Sequence, residues 1–134
     1  CHYCLNDTGL ADLLPYLKRK RVGIFNSAPL AMRLLSDGGP PDWHPAPRLV
    51  RQKCAEAAAH CRAHGTELGR LALQFAMAHP DIHTHVVGTA SARRVLANIA
   101  DAAAPLDREL LDRVLAILAP VRNVTWLSGR PENN

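Results

Sequence analysis

Three short apolar segments, each followed by a helical pattern, constrain the fold of this chain more than any other feature. They lie at residues 1–5, 22–25 and 85–88, and the second shows none of the polar alternation of a half-exposed strand. Such strands, separated by helices, predict an α/β fold with a parallel sheet and right-handed crossovers. Three strands would leave two exposed edges and several uncovered helix faces. The sequence therefore calls for more strands than 134 residues supply, and a closed (β/α)8 barrel provides them.

Helical periodicity fills the segments between and after these strands. Leucines at positions 10, 13, 14 and 17 predict a first helix with one buried face. Proline lacks an amide donor, so Pro15 predicts a kink or a restart near Leu14. A later helix has its buried stripe at Val50, Cys54, Ala57, Ala58 and Cys61. Gly65 is predicted to end this helix, and the residues predicted to begin the later helices are Thr66, Ser91 and Asp107.

A glycine- and proline-rich segment, residues 26–48, separates the second strand from the next helix. Irregular loops of this length in compact proteins are usually lids or binding loops. No other interruption resembles a domain boundary, so we treat residues 1–134 as one incomplete domain. Because the apolar stretch begins at Cys1 itself, we expect the chain to start inside an element.

The net charge of +4 and the pI near 9.2 raise the question of a nucleic-acid partner. The only dense basic run, residues 18–21, falls at a predicted helix end, where cations offset the helix dipole. Only 4% of residues are aromatic, which leaves little to stack on bases. A helical nucleic-acid binder built around the Gly65 turn is a less favoured alternative, and we expect no nucleic-acid partner.

The four cysteines do not have the geometry of a metal or disulfide site. Cys1 and Cys4 would point to opposite faces of a strand. Cys54 and Cys61 lie two helical turns apart, about 10 Å in rise, which is too far for a bridge. We therefore expect small core hydrophobes in a reducing compartment.

His60 and His64 have the i, i+4 spacing of a metal-binding pair. No carboxylate or cysteine is spaced to complete a site, so solvent-facing histidines are favoured and no metal is expected. No apolar run approaches the roughly 18 residues that a membrane span requires. We expect a soluble, cytoplasmic protein without a membrane partner.

Two segments follow strands at the positions where parallel α/β proteins bind ligands, residues 27–35 and 88–98. Small residues let a ligand approach the backbone, and free amides at a helix start attract anions. Arg94 has the donor geometry to pair with a phosphate, and Asn98, one turn later, to contact an adenine edge. A turn and cap that merely join strand to helix explain the second segment equally well.

Four motifs nevertheless resemble the aldo/keto reductase family, and more narrowly its L-galactose dehydrogenase and related aldose (L-fucose or D-threo-aldose) dehydrogenase branch. The resemblance runs from Cys1 to the tail. It implies the C-terminal portion of the TIM barrel, with strands six to eight, their helices and the C-terminal helix. The motifs are D-L-L-P-Y-L-K-x-K-x-V-G from Asp12, A-P-L-A-M-x-L-L from Ala28, G-P-P-x-W-H-P-A-P from Gly39 and W-L-S-G from Trp126.

The resemblance implies NAD or NADP as the cofactor and a small sugar as the substrate. Position 28 is often serine in the family, 33 glycine and 97 glutamate, where this chain has Ala28, Arg33 and Ala97. The loss of a hydroxyl and a carboxylate removes cofactor contacts, and Arg33 would either clash with a phosphate or grip it. The implied cofactor-binding residues are Ser27, Ala28, Pro29, Leu30, Ala31, Met32, Gly88, Ala90, Ser91, Arg94 and Asn98.

The family's catalytic Asp, Tyr, Lys and His belong to the first half of the barrel, so the resemblance implies that this chain has no catalytic residue. The tyrosines, lysine and histidine nearest in type, Tyr3, Tyr16, Lys18 and His44, lie at unsuitable positions. Trp43 and His44 are expected to pack the loop down rather than shape a sugar pocket.

Two functions follow from the resemblance. The first is an NAD(P)-dependent oxidoreductase of aldose sugars or related carbonyl compounds, of which this chain is an inactive part that needs the N-terminal part of the barrel. Arg94 favours NADP. The alternative is a non-catalytic regulatory subunit of the same fold that binds the nicotinamide cofactor.

Overall fold

The structure is a computed structural model that describes residues 2–127. Within that range the chain forms five α-helices and two short strands, with a 3-10 turn at Ala119–Val121. In chain order the elements are α1 (Leu10–Arg19), β1 (Phe25–Asn26), α2 (Arg48–Ala63), α3 (Leu68–Met77), β2 (Thr84–His85), α4 (Ala92–Ala103) and α5 (Arg108–Leu118).

The two strands pair in parallel, as the βα alternation predicts. Phe25 lies opposite Thr84 and Asn26 opposite His85. The amide of Val86 extends the pairing by donating to the Asn26 carbonyl at 2.9 Å. Both strands are shorter than predicted and shifted by one to three residues from the apolar segments. Residues 27–47, between β1 and α2, contain no helix or strand, as expected of an irregular loop.

The predicted strand at residues 1–5 is wrong for the part that the structure describes. Cys4 and Asp7 exchange backbone hydrogen bonds and close a turn. The Asn26 side chain, rather than a backbone ladder, binds the Tyr3 carbonyl at 2.7 Å. Tyr3, Cys4 and Leu5 are nevertheless buried, so the segment belongs to the core without being a strand. Cys1 lies outside the described residues.

The main core forms where α2 packs against α5 and α3. The predicted stripe of α2 is confirmed, since all five of its members are buried. Leu68 and Leu71 of α3 and Val114 and Leu118 of α5 are also buried in this cluster. A smaller cluster joins α1 to the sheet and to α3, with Leu14, Ile24 and Ala76 at its centre.

The helix ends follow the sequence at most positions. Gly65 stops α2 with φ of +72°, a conformation that glycine adopts without a Cβ penalty. Ser91 and Asp107 cap α4 and α5 through their side chains, as predicted. Thr66 does not cap α3; the Asp37 carboxylate accepts from the Leu68 amide at 2.9 Å instead. This cap comes from 31 residues away, so local sequence could not indicate it.

A restart at Pro15 is also wrong, because α1 is one continuous helix with Pro15 inside it. Pro15 is exposed, so the Ala11 carbonyl that loses its helical partner is not forced into a dry core. Tyr16 is exposed, as expected, and Lys18 pairs with Asp81 at 2.6 Å.

Cys4, Cys54 and Cys61 are buried free thiols, as predicted for the helical pair. Burial raises the pKa of Cys4 to about 11 and that of Cys54 to about 12, so both stay protonated near neutral pH. His64 is exposed, but the prediction is wrong for His60, which is half-buried with its Nε2 enclosed.

No cluster of three metal-ligating side chains occurs within residues 2–127. Over the same range, no helix is long and apolar enough to span a bilayer.

Helix α4 differs from the others because none of its residues is buried. It packs against α3, and the Gln74 side chain fixes its carboxyl end. The Gln74 amide donates to the carbonyls of Asp101 and Ala104 at 3.0 and 3.1 Å. Two apolar residues of α4, Leu96 and Ile99, have exposed fractions of 69% and 63%.

Candidate functional site

The loop after β1 contains a left-handed turn made entirely of residues other than glycine. Ala31, Met32 and Arg33 have φ angles of 45°, 50° and 72°. Left-handed backbone costs roughly 1–2 kcal/mol per such residue because Cβ crowds the following carbonyl. Three in succession mark a segment that its surroundings hold in place, and such strain concentrates at ligand sites.

Buried His44 holds this turn. Its Nδ1 accepts from the Ala46 amide at 3.1 Å, so Nε2 carries the proton and donates to the Ala31 carbonyl at 3.1 Å. Arg51 fixes the same loop by donating to the carbonyls of Ala46 and His44. The prediction that His44 packs the loop down is therefore confirmed. Trp43, in contrast, is exposed.

Asn26 connects three parts of the site. Its amide nitrogen donates to the Tyr3 carbonyl at 2.7 Å and to His85 Nδ1 at 3.2 Å. Its oxygen accepts from the Ala28 amide at 3.3 Å. The buried Asn26 side chain thus ties the start of the loop to β2 and to the N-terminal segment.

A cavity of 620 Å³ lies between the loop after β1 and the turn after β2. This volume is within the usual range of small-molecule sites. Five residues that the sequence predicted as cofactor-binding line it, namely Leu30, Gly88, Ala90, Arg94 and Asn98. The structure thus brings together two segments that are about 60 residues apart in the chain.

The other predicted residues lie elsewhere. Ser27, Ala28, Ala31 and Met32 line a second cavity, of 340 Å³, on the side of the N-terminal segment. Pro29 is fully buried and lines neither cavity. Ser91 is outside both; its side chain accepts from the Arg94 amide at 3.3 Å and so caps α4.

Charged side chains surround the larger cavity. Arg33, Arg70 and Arg94 contribute three positive charges, and Asp37 and Glu67 contribute two negative ones, which leaves one net positive charge. Arg94 Nη1 lies 2.7 Å from Glu67 Oε2, and this hydrogen bond raises the pKa of Arg94. Arg70 faces Asp101 at 3.6 Å.

These residues fit the adenosine and phosphate groups of a dinucleotide. A Cβ added at Gly88 would meet no atom within 4 Å, so space is open directly beside that backbone. Helix α4, 12 residues long, begins two residues after Ala90, and its Arg94 and Asn98 line the cavity. Arg33 provides a guanidinium on the opposite wall. The arrangement can bind a phosphorylated ligand, and within residues 2–127 no Asp–Tyr–Lys–His constellation adjoins it.

Comparison with known proteins agrees with this geometry. The model of the Aldo/keto reductase family matches residues 2–119. The chain belongs to this family. It is 44% identical over 137 residues to the L-galactose dehydrogenase of Arabidopsis thaliana. That alignment covers 99% of this chain and 43% of the relative, so the chain spans less than half the length of the curated aldo/keto reductase that it matches.

A solved aldo/keto reductase from Bacillus halodurans, in its holo form, superimposes with a TM-score of 0.67. It is 22% identical and covers 93% of this chain, while the chain covers 42% of it. At this identity the likeness concerns the fold, and it indicates that the α/β arrangement of β1, β2 and their helices is part of a barrel. Ser128 and Gly129 of the closing W-L-S-G motif lie outside the described residues.

Four residues of the candidate site were not predicted from the sequence. Asn26 gave a weak signal, because it is a polar residue at the end of an apolar strand. Asp37 and Arg51 gave no signal. The atoms that they bind, the Leu68 amide and the Ala46 carbonyl, come within reach only once the loop has folded. Glu67 was missed because its partner, Arg94, lies 27 positions away. Arg33 was noted as a replacement for glycine, and its φ of 72° explains why glycine suits that position.

Proposed function

We propose that this chain is the C-terminal part of an aldo/keto reductase barrel, in which β1 and β2 correspond to strands seven and eight. In the whole protein we propose NAD(P)-dependent oxidation of an aldose sugar or a related reaction between alcohol and carbonyl. The name of the Arabidopsis relative, L-galactose dehydrogenase, supports this substrate class. The observation that carries the proposal is the 620 Å³ cavity that joins the loops after both strands.

The chain's own residues would bind and orient the cofactor. Gly88 and Ala90 would let the phosphate oxygens approach the backbone, and the amides at the Ser91 cap would attract them. Asn98 would contact the adenine edge. The pyrophosphate and nicotinamide side would be lined by Ser27, Ala28, Leu30, Ala31 and Met32. Pro29, which is buried, would support this segment from below. When bound, the nicotinamide ring supplies the hydride acceptor or donor.

The partner that we propose for this chain is the preceding part of the barrel. Phe25 on β1 is 73% exposed, and Val86, after β2, is also exposed. Large apolar side chains on the free face of a two-stranded sheet are expected where further strands close a barrel. The catalytic Asp, Tyr, Lys and His would come from that part. We therefore expect no oxidation of aldoses by residues 1–134 alone, and turnover by this chain would contradict the assignment.

Cofactor binding can be tested with two glycine variants. Gly88→Val places a branched side chain in open space at the cavity, so the fold should survive while the cavity is filled. Gly23→Val is the matched control, because a Cβ there also meets nothing within 4 Å and Gly23 lies outside the cavity. In calorimetric titrations with NAD⁺ we expect Gly88→Val to weaken binding about tenfold or more, or about 1.4 kcal/mol. Equal binding by both variants would contradict the site.

A further inference from the structure

Asn123, an exposed residue, joins the two ends of the chain. It lies in the C-terminal segment, residues 122–127, shortly after the 3-10 turn. Its backbone amide donates to the Asn6 carbonyl at 2.7 Å, and its side-chain Oδ1 accepts from the Thr8 amide at 2.8 Å. The Thr8 hydroxyl also donates to Oδ1, at 3.3 Å. Asn123 thus contacts the N-terminal turn, residues 4–8, through both its backbone and its side chain, and Thr8 lies 115 positions away in the sequence.

The backbone of Asn123 suits this contact. Its φ of 57° lies in the left-handed region, which asparagine adopts more readily than any residue type except glycine. Glycine at this position would keep the backbone conformation and lose the acceptor, whereas aspartate would keep an acceptor oxygen. The conformation and the hydrogen bonds of Asn123 can therefore be separated by substitution.

The C-terminal segment also provides a wall of the second cavity, the one of 340 Å³. Trp126, three residues after Asn123, lines this cavity, and so does Asn6. The Trp126 ring meets the ring of buried His44 edge to face, with centroids 5.4 Å apart. His44 donates to the Ala31 carbonyl and so holds the left-handed turn. Asn123 therefore binds one wall of the cavity, the N-terminal turn, and lies close in the chain to another wall, Trp126.

The second cavity is where we place the nicotinamide ring, beside Ser27, Ala28 and Met32. Hydride transfer requires the reacting carbon of the sugar to lie beside that ring, at about 3–3.5 Å. A side chain that walls this cavity therefore limits the positions that the sugar can take. Trp126 is only partly buried, so its ring stays in place only while the C-terminal segment is held.

We propose that Asn123 is a positioning residue that holds Trp126 in place as a wall of the sugar site. The inference rests on the proposed function, since it assumes that the second cavity contains the nicotinamide ring and the reacting carbon. Asn123 lines neither cavity, so it would touch neither the sugar nor the cofactor. Its loss should therefore weaken sugar binding, which raises KM, and leave kcat nearly unchanged.

The first test follows Trp126 in the 134-residue chain. The chain has two tryptophans, and Trp43 is 71% exposed, so Trp43→Phe leaves Trp126 as the tryptophan whose emission is measured. In that background we expect acrylamide to quench Trp126 more strongly after Asn123→Gly. Asn123→Asp should restore the quenching of the parent, because its carboxylate accepts from Thr8.

Thr125→Ala is the matched control for both tests. Thr125 is the residue next to Trp126 in the same segment, and its side chain makes no hydrogen bond within residues 2–127. This variant should leave the quenching of Trp126 unchanged.

The second test measures catalysis in a chimera. In it, this chain replaces the matching segment of the Arabidopsis L-galactose dehydrogenase, to which it is 44% identical. We expect Asn123→Gly to raise KM for L-galactose about fivefold, with kcat changed by less than about twofold. Asn123→Asp should return KM to near the native value, and Thr125→Ala should not change it.

Three results would overturn this role. If Asn123→Gly leaves the quenching of Trp126 unchanged, or if Thr125→Ala raises it equally, packing alone holds Trp126. If the quenching rises while KM for L-galactose stays constant in an active chimera, Trp126 does not wall the sugar site, and the proposed function survives. If the native chimera is folded by circular dichroism and does not oxidise L-galactose, the proposed function fails and this inference fails with it.

Discussion

The three helices α2, α3 and α5, which we call the packed helices, differ sharply from α4 and the two strands, which we call the open face. The packed helices bury Leu68, Val114 and Leu118 completely or nearly so. The open face leaves Leu96, Ile99 and Phe25 mostly exposed, although these side chains are equally apolar. The apolar residues of this chain therefore fall into two groups: some form a core within the chain, and others are exposed on the open face, where we propose that the rest of the barrel packs.

The largest expected effect comes from removing the same side chain in each region. Leu118→Ala opens a cavity among the packed helices and should cost about 2–5 kcal/mol of the free energy of unfolding. Leu96→Ala, on the open face, should change it by less than about 0.5 kcal/mol. Chemical denaturation of the chain measures both. If both variants lost a similar amount of unfolding free energy, α4 would be buried in solution, which would contradict the distinction between the packed helices and the open face.

A smaller effect is expected where the binding loop meets the packed helices. Asp37 lines the cavity and caps α3 through the Leu68 amide, so Asp37→Ala should cost about 1 kcal/mol. Asp42→Ala is the control, because Asp42 is an exposed residue of the same loop whose carboxylate accepts no hydrogen bond within residues 2–127. Equal midpoints of thermal unfolding for the two variants would contradict the capping role of Asp37.

The smallest effect concerns pH and the sheet. Burial, assisted by the charge of His79, lowers the pKa of His85 below its ordinary value of 6.5. At pH values below 6.5, His85 is protonated more readily in the unfolded chain than in the folded chain. The free energy of unfolding should therefore fall as the pH drops from about 7 through the lowered pKa. His85→Val should flatten this dependence between pH 7.5 and 5.5, as followed by the midpoint of thermal unfolding. An identical slope in the variant would show that His85 does not contribute.

Local signals predicted most of the helices. The stripe of α2, the glycine stop at Gly65 and the caps at Ser91 and Asp107 all depend on neighbours within a few positions, and all were confirmed. Strands were harder to predict, because a strand needs a partner. The apolar residues 2–5 form no ladder since the Asn26 side chain takes the Tyr3 carbonyl.

The candidate site was predicted in its outline and missed in its details. The rule that ligands bind at the carboxyl ends of parallel strands placed residues 27–35 and 88–98 together without contact information. Three contacts join positions that lie 5 to 31 residues apart: Asp37 caps α3, Arg51 holds the loop at Ala46, and Glu67 pairs with Arg94. No periodicity encodes such contacts, so only the folded chain reveals them.

An NMR titration of the chain with NAD⁺, followed through its backbone amides, tests the central claim most directly. The account predicts saturable shifts at Leu30, Arg33 and the residues of the turn and helix start at 88–98, with little change at Val114 in the packed helices. Shifts confined to the basic end of α1 at residues 18–21, or no saturable shifts at any concentration of NAD⁺, would contradict the claim that these two loops form a cofactor site.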